Sequence, residues 1–258
     1  MPNYKDWINA IDIKVDYFSA FMKAWIAFNA WYESGEISGR TDKAKIDEIS
    51  THNNRFRDRM NNLLESEDTE GKAYKENVAN LHAALVKATI TSQEYFGYKQ
   101  TISFSEVAVK NVKDKEILKI YNYQYLCKKE HEKLITIVTD LKTNTEVFHR
   151  EQSEYNVADI KSQTDFNVLS DKKKSNCIKC YEALRPYNTE SVIDSKSKRK
   201  MGMYGFVDDP DRISNAIIRI LYMLRCCLAH GDIMPDEASN NVYHYAYEVL
   251  IPPLKKLI

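Results

Sequence analysis

The chain contains few of the residues that interrupt regular structure. Glycine occurs seven times and proline six times in 258 residues, which favours long helices over a turn-rich sandwich. The sequence also lacks a GxxxxGK[S/T] loop, which argues against a P-loop nucleoside triphosphatase. We therefore predict a mainly α-helical protein that uses a different kind of site.

Charge and hydropathy narrow the class further. Lysine plus arginine and aspartate plus glutamate each total 37, and this balance argues against a protein that coats nucleic acid but leaves room for a local basic patch. No apolar run has the length of a membrane span, residues 1–20 do not resemble a signal peptide, and five cysteines suggest reduced thiols. We expect a cytoplasmic protein without a membrane partner.

Apolar positions at helical spacing occur mainly at the two ends of the chain. The last two predicted helices run from about Pro210 to His230 and from Pro235 to about Leu250, with Pro252-Pro253 as the stop. The helices predicted nearer the start cover about Tyr4 to Tyr32, Asp42 to Leu64, and Tyr74 to Thr89.

The periodicity is weaker from about residue 95 to residue 205. We predict a strand pair near 102–109, one helix or an alternating strand over Ile117–Leu141, a helix over 171–184 and a mobile basic loop at 188–210. The predicted architecture is a helical bundle of residues 1–92 and 210–258. A mixed, partly irregular insertion at 93–209 interrupts it.

The stretch from Arg225 to His230 is the most informative part of the sequence. It reads Arg-Cys-Cys-Leu-Ala-His, lies at the end of an apolar helical run and is followed at once by Gly231, a typical helix stop. A fixed cation beside a group that titrates near neutral pH is the minimum equipment for cleaving a phosphodiester.

This stretch resembles the motif of HEPN domains (higher eukaryotes and prokaryotes nucleotide-binding). The likeness rests on Leu224 to Asp232 and on the aromatic segment Trp25-Ile-Ala-Phe-Asn-Ala-Trp-Tyr32, which is similar to the opening helix of Apea-like members. Many members of this all-helical family are RNA-cleaving toxins or defence proteins. The resemblance implies a HEPN-like helical bundle and an endoribonuclease, a toxin or an antiviral-defence effector.

The resemblance also implies catalytic roles. His230 would handle protons while the ribose 2′-hydroxyl attacks the adjacent phosphate, and Arg225 would hold that phosphate. The reaction needs no metal or other cofactor and leaves cyclic phosphate ends. Two copies would form a homodimer with one composite cleft, controlled by an antitoxin or defence-system partner. In the alternative without catalysis, Arg225 and His230 cap the last carbonyls of a helix.

Three further residues are candidates for supporting roles, each with a structural alternative. Asn29 interrupts an apolar face and either bonds the active-site helix or makes a core hydrogen bond. Cys226 stands where the family commonly has a polar residue, and packing is the commoner role of such a cysteine. Asp232 orients His230, neutralises Arg225 or caps the next helix; we favour the cap.

The remaining signals are weaker. Lys196, Lys198, Arg199 and Lys200 could contact RNA phosphates, and solvated loop charge explains them equally well. Cys177-Ile-Lys-Cys180 is a single CxxC without a second close pair, so neither a zinc site nor a redox site is favoured. The rivals to a nuclease are a catalytically silent HEPN scaffold or regulatory subunit, and a module that binds RNA or nucleotides without cutting.

Overall fold

The computed structural model describes residues 16–92 and 101–257, and the chain divides into two compact units. The outer unit is formed by Met1–Ala108 and Thr189–Ile258, and the inner unit by Val109–Asn188. Each unit is described by itself below. The sequence placed the boundaries of the insertion at 93 and 209, so the inner unit is shorter than the predicted insertion at both ends.

The prediction of a mainly α-helical fold is wrong. Of the residues that the structure describes, about 53% are helical and 20% are in strands, and these strands form a four-stranded antiparallel sheet and two two-stranded sheets. The protein therefore has a mixed α/β fold. The helices are α1 Tyr17–Trp31, α2 Asp42–Thr51, α3 Arg55–Glu65, α4 Thr69–Ala88, α5 Val157–Ser162, α6 Thr164–Val168, α7 Asp171–Glu182, α8 Pro210–Ala229 and α9 Glu237–Lys255.

Most of the helices belong to the outer unit. Helix α1 begins at the N-cap Asp16 and continues into a π-helical turn, Tyr32–Glu36; the part of the first predicted helix before residue 16 lies outside the described residues. The predicted helix over 42–64 is two helices, because the Asn54 side chain caps α3 and also donates to the carbonyls of Ile49 and His52.

The core of the outer unit is built on aromatic side chains of α1 and on the apolar length of α8. Trp25 is 2% exposed and lies against the rings of Phe28 and Tyr222. Helix α8 ends where the sequence predicted. In contrast, α9 begins after Asp236 and continues through Pro252 and Pro253 to Lys255. The predicted stop at these prolines is therefore wrong by less than one turn, and the helix ends soon after them because proline has no N–H to donate to the helix.

The strands are β1 Val107–Lys110, β2 Lys115–Ile120, β3 Tyr123–Glu130, β4 Lys133–Asp140, β5 Thr145–Gln152, β6 Tyr187–Glu190, β7 Lys200–Met201 and β8 Tyr204–Gly205. Strands β7 and β8 pair as a hairpin, so the segment predicted as a mobile loop at 188–210 is ordered structure. The predicted strand pair at 102–109 is a single strand, β1, which pairs with β6.

The inner unit consists of the antiparallel sheet β2-β3-β4-β5 and the short helices α5 to α7. The helix considered for Ile117–Leu141 is wrong, and the alternating strand interpretation is the correct one for this region. Helix α7 confirms the prediction for 171–184. Its buried face packs with the sheet in one apolar core that includes Tyr125, Cys127, Val138, Phe148, Cys177, Cys180 and Tyr181.

Within the described residues, none of the helices combines the length and the apolar character that crossing a membrane requires.

Candidate active site at the end of helix α8

Helix α8 ends in a Schellman motif that determines where His230 lies. Gly231 has a φ of +70°, and its N–H donates to the carbonyl of Leu228 at 3.2 Å while the N–H of Asp232 donates to Cys227 at 2.9 Å. These two backbone hydrogen bonds are those of a Schellman motif, in which the residue after the C-cap, here Gly231, has a left-handed conformation. His230 is the C-cap, and its side chain is exposed at the surface of the outer unit.

Arg225 lies farther back in the same helix and faces α2. Its side chain is 29% exposed, and Nη1 lies 3.3 Å from Oδ2 of Asp42, the first residue of α2. The other carboxylate oxygen, Oδ1, accepts a short hydrogen bond from the hydroxyl of Tyr32. That hydroxyl in turn accepts one from Nδ2 of Asn29 at 2.6 Å. We call Asn29, Tyr32, Asp42 and Arg225 the Arg225 network.

The electrostatics of the Arg225 network favour a protonated tyrosine and a charged arginine. Burial, followed by the hydrogen bond to Asp42, raises the pKa of Tyr32, so the phenol remains a donor. Burial opposes the charge on Arg225, but Cys226 and the Asp42 carboxylate outweigh it, and the net effect raises its pKa. The guanidinium therefore stays cationic throughout the physiological range.

The hydrogen bonding of Arg225 is incomplete among the described residues. Its Nε is buried without an acceptor, and Oδ2 of Asp42 is buried without a donor of hydrogen-bond geometry. The contact between Nη1 of Arg225 and Oδ2 of Asp42 is thus an ion pair. It is not the bidentate pair of hydrogen bonds that arginine often makes with a carboxylate. A buried unsatisfied donor costs about 1–3 kcal/mol, whereas the part of the side chain that is 29% exposed can still meet an acceptor oxygen.

Arg225 and His230 share the end of one helix but not one face. Five residues turn an ideal helix by about 500° and advance it by about 7.5 Å. Arg225 is directed at α2, whereas His230 stands at the tip of α8. A ligand that reached both groups would therefore lie across the end of the helix.

The three supporting candidates have different environments. Cys226 is 3% exposed, and burial raises the pKa of its thiol against hydrogen bonds from Arg225 and Tyr222; this environment is that of a packing residue. Asn29 reaches α8 only through Tyr32 and Asp42. The cap assigned to Asp232 is wrong, because the side chain that caps α9 is that of Asp236, which accepts from the N–H of Ser239 at 2.7 Å.

The four basic candidates are not equivalent. Arg199 bonds Oδ1 of Asp208 at 2.9 Å and the carbonyl of Leu64 at 3.2 Å, so it holds the hairpin in place. Nζ of Lys200, in β7, donates to the carbonyl of Ser195 at 3.2 Å. Lys196 and Lys198 are exposed. Only these last two have the environment expected of solvated charges or loose phosphate contacts.

Sequence reasoning missed the acidic partners on α2. Asp42 and Asp47 face Arg225 and Arg219 of α8, and Arg219, which is fully buried, bonds Asp47 at 2.9 Å. The available signal was two arginines within an apolar helix and two aspartates five residues apart in α2. Matching the pairs requires knowing that the two helices pack together.

The CxxC segment lies in the core of the inner unit. Cys177 and Cys180 are on α7 and are buried together with Cys127 of β3. Burial raises the pKa of Cys177 to about 12. Among residues 16–92 and 101–257, no group of three or more histidine, cysteine or acidic side chains is placed to hold a metal ion.

Comparison with protein-family models, with curated proteins and with solved structures finds no match. We therefore infer the function from the residues and the geometry of the site.

Proposed function

We propose that the protein is a metal-independent endoribonuclease of the HEPN type, acting in the cytoplasm as a toxin or antiviral-defence effector. The observation that carries the proposal is the pairing of an exposed histidine at a helix end with a partly exposed, incompletely bonded arginine in the same helix. These are the two kinds of group that transfer of an RNA phosphate needs, a proton carrier and a fixed cation.

In the proposed reaction His230 accepts the proton of the ribose 2′-hydroxyl. The hydroxyl oxygen attacks the adjacent phosphorus, the bond to the 5′-oxygen of the next nucleotide breaks, and that oxygen takes up a proton. The product carries a 2′,3′-cyclic phosphate. DNA, which lacks the 2′-hydroxyl, is not a substrate.

Arg225 holds the phosphate and the negative charge that develops on it. Nε is itself buried, so the phosphate oxygen would bind the accessible part of the side chain, which is 29% exposed. The remainder of the Arg225 network already holds the guanidinium in place. The side chain therefore loses less conformational freedom when a phosphate binds. We regard Asp42 as a positioning residue.

A homodimer completes the site. One chain offers a single His230, while the reaction needs both a base and an acid. A two-fold axis near the end of α8 would bring two such histidines to one composite cleft. An antitoxin or another component of a defence system would restrain the activity.

The test is an RNA cleavage assay in EDTA with the wild type and the Arg225→Ala and His230→Ala variants. We expect wild-type cleavage and a loss of about 10²–10⁴-fold in each variant. His52→Ala is the matched control, because His52 is also an exposed C-cap histidine, at the end of α2. Intact RNA with the wild type, or equal loss with His52→Ala, would contradict the proposal.

A second candidate is a catalytically silent module that binds RNA or nucleotides. The ion pair with Asp42 favours it, since a neutralised arginine is a poorer phosphate ligand. The two candidates separate when binding of 2′-O-methyl RNA, which cannot be cut, is measured beside cleavage of ordinary RNA. Binding that depends on Arg225 without cleavage identifies the silent module.

A further inference from the structure

Among the described residues, the helices that pack on the sheet of the inner unit lie on one face. Helix α7 packs against β2, β3 and β4, and α6 packs against β5; the side chains on that side form the apolar core. Alternate residues of the four strands point the other way. We call the surface that they form the open face.

The open face is organised in three rows, because strand register aligns one residue from each strand. Ile117, which is 44% exposed, lies at the β2 end of the middle row. Read from β2 to β5, the rows are Lys119-Gln124-Thr139-Glu146, Ile117-Leu126-Ile137-His149 and Lys115-Lys128-Ile135-Glu151.

Each outer row begins with a lysine on β2 and ends with a glutamate on β5. Lys115 and Lys119 make no ion pair with a described residue. Glu146 lies 3.0 Å from Nδ1 of His149, and Glu151 lies 2.8 Å from Nζ of Lys133. These exposed contacts are weak, so both glutamates remain available to another cation.

We propose that the open face binds a second copy of this chain, face to face, about a two-fold axis parallel to the strands. Such an axis places β2 over β5 of the partner and keeps each row over itself. Lys119 then meets the partner's Glu146, Lys115 meets the partner's Glu151, and Leu126 meets the partner's Ile137. An isologous contact makes every pair twice, so four opposite-charge pairs surround an aliphatic centre.

The composition of the open face favours a protein copy over RNA. Its twelve positions include no phenylalanine, tyrosine or tryptophan, the rings on which unpaired bases stack. Its charges are also of both signs, whereas a surface that tracks phosphates is mainly positive.

The size of the face sets the expected strength. Three interstrand spacings of about 4.8 Å make it about 14 Å wide, and three rows that are two residues apart make it about 14 Å long. Its area of a few hundred Å² is smaller than the roughly 800 Å² per partner of a standard interface. We therefore expect weak self-association that rises with protein concentration and falls with salt.

A cross-linking experiment tests the geometry in the full chain. Lys119 and Glu146 lie on opposite edge strands, about 14 Å apart within one chain, so a shorter bis-maleimide joins cysteines at these positions only between chains. We expect the double variant Lys119→Cys with Glu146→Cys to yield covalent dimers. Each single variant should stay monomeric in this assay, and the five native cysteines are buried.

A charge swap tests the same contact without a reagent. We expect Lys119→Glu alone and Glu146→Lys alone to weaken self-association by about tenfold, because each creates two like-charge contacts. The combined swap should restore it. Lys172→Glu, which changes an exposed lysine of α7 away from the open face, is the control.

No cross-link in the double variant, a cross-link in either single variant, or a swap that fails to restore association would each overturn the proposal. The cross-link reports on Lys119 and Glu146 of the open face, and neither residue has a role in the proposed cleavage. The result is therefore independent of whether the protein cleaves RNA. If the face instead captures single-stranded RNA in a binding titration and no cross-link forms, the proposed occupant is wrong.

Discussion

Asp42 determines how much of the Arg225 charge a ligand can use. It lies 3.3 Å from the guanidinium and is held by Tyr32, so the arginine is both positioned and partly neutralised. A phosphate that arrives at Arg225 must share the cation with this carboxylate. If the proposed RNA binding is correct, the affinity for RNA would be a balance between fixed geometry and competition for one charge.

Asp42→Asn separates these two effects. The amide keeps the shape and can still accept from Tyr32, but it removes the negative charge. We expect tighter binding of 2′-O-methyl RNA and a salt dependence steeper by up to about one phosphate contact, because Arg225 gains the ability to displace a counterion. Unchanged affinity and salt slope in a binding titration would mean that Arg225 does not contact phosphate. Asp58→Asn, an exposed change in the first turn of α3, is the control.

The buried residue His82 makes the stability of the folded protein depend on pH. It is 5% exposed, lies against the rings of Phe104, Tyr204 and Phe206, and its Nδ1 has no partner among the described residues. Burial lowers its pKa, so the unfolded chain binds this proton more readily than the folded chain does. The stability of the folded state is therefore highest above the ordinary pKa of about 6.5 and falls as pH drops below it.

Urea unfolding between pH 8 and pH 5 measures this effect. We expect His82→Phe to become more stable relative to the wild type as the pH falls. A constant difference between His82→Phe and the wild type across this range would show that His82 is not buried as a neutral group.

At the scale of the element, the end of α8 depends on a single glycine. Gly231 has a φ of +70° with open space around its Cα, so an added side chain meets no neighbour but is held in a left-handed conformation. We expect Gly231→Ala to destabilise the protein by about 1–2 kcal/mol. Gly231→Asn should cost less, since asparagine tolerates this region. Equal unfolding midpoints for the wild type and both variants would contradict the Schellman assignment.

A helix or strand could be predicted from the sequence where the spacing of its apolar residues agrees with the residues that mark its two ends. Helix α8 combines an apolar stripe with Pro210 at its start and Gly231 after its end, and both bounds were correct. The sheet was not predictable in this way. Its two-residue turns use Tyr121, His131 and Glu132 at positive φ, where glycine or asparagine is the usual signal. Without those signals, the apolar residues of 117–141 fitted a helix as well as strands.

The candidate site shows the same division. Arg225 and His230 could be chosen from the sequence because they are close in the chain and interrupt an apolar run. Asp42 and Tyr32 could not, because each lies more than 180 residues away from Arg225 in the chain. Their role follows only from the packing of α2 and the π-helical turn against α8.

On the scale of the whole molecule, the two units have different chemistry. The outer unit contains Arg225, His230 and the α2 carboxylates, while the inner unit contains a buried cysteine-rich core and the open face. Under the two proposals, the outer unit would carry RNA cleavage and the dimer contact that completes its site, and the inner unit would add a second self-association surface.

The most direct test of the central claim is the chemistry of the cut. A short RNA is incubated with the wild type in EDTA, beside the same RNA with one 2′-deoxy nucleotide at the cleavage position. We predict a 2′,3′-cyclic phosphate end on the first RNA and no cut at the modified position of the second. Cleavage of the first RNA should depend on His230. Cleavage at the 2′-deoxy position, or products that carry a 3′-hydroxyl, would contradict it.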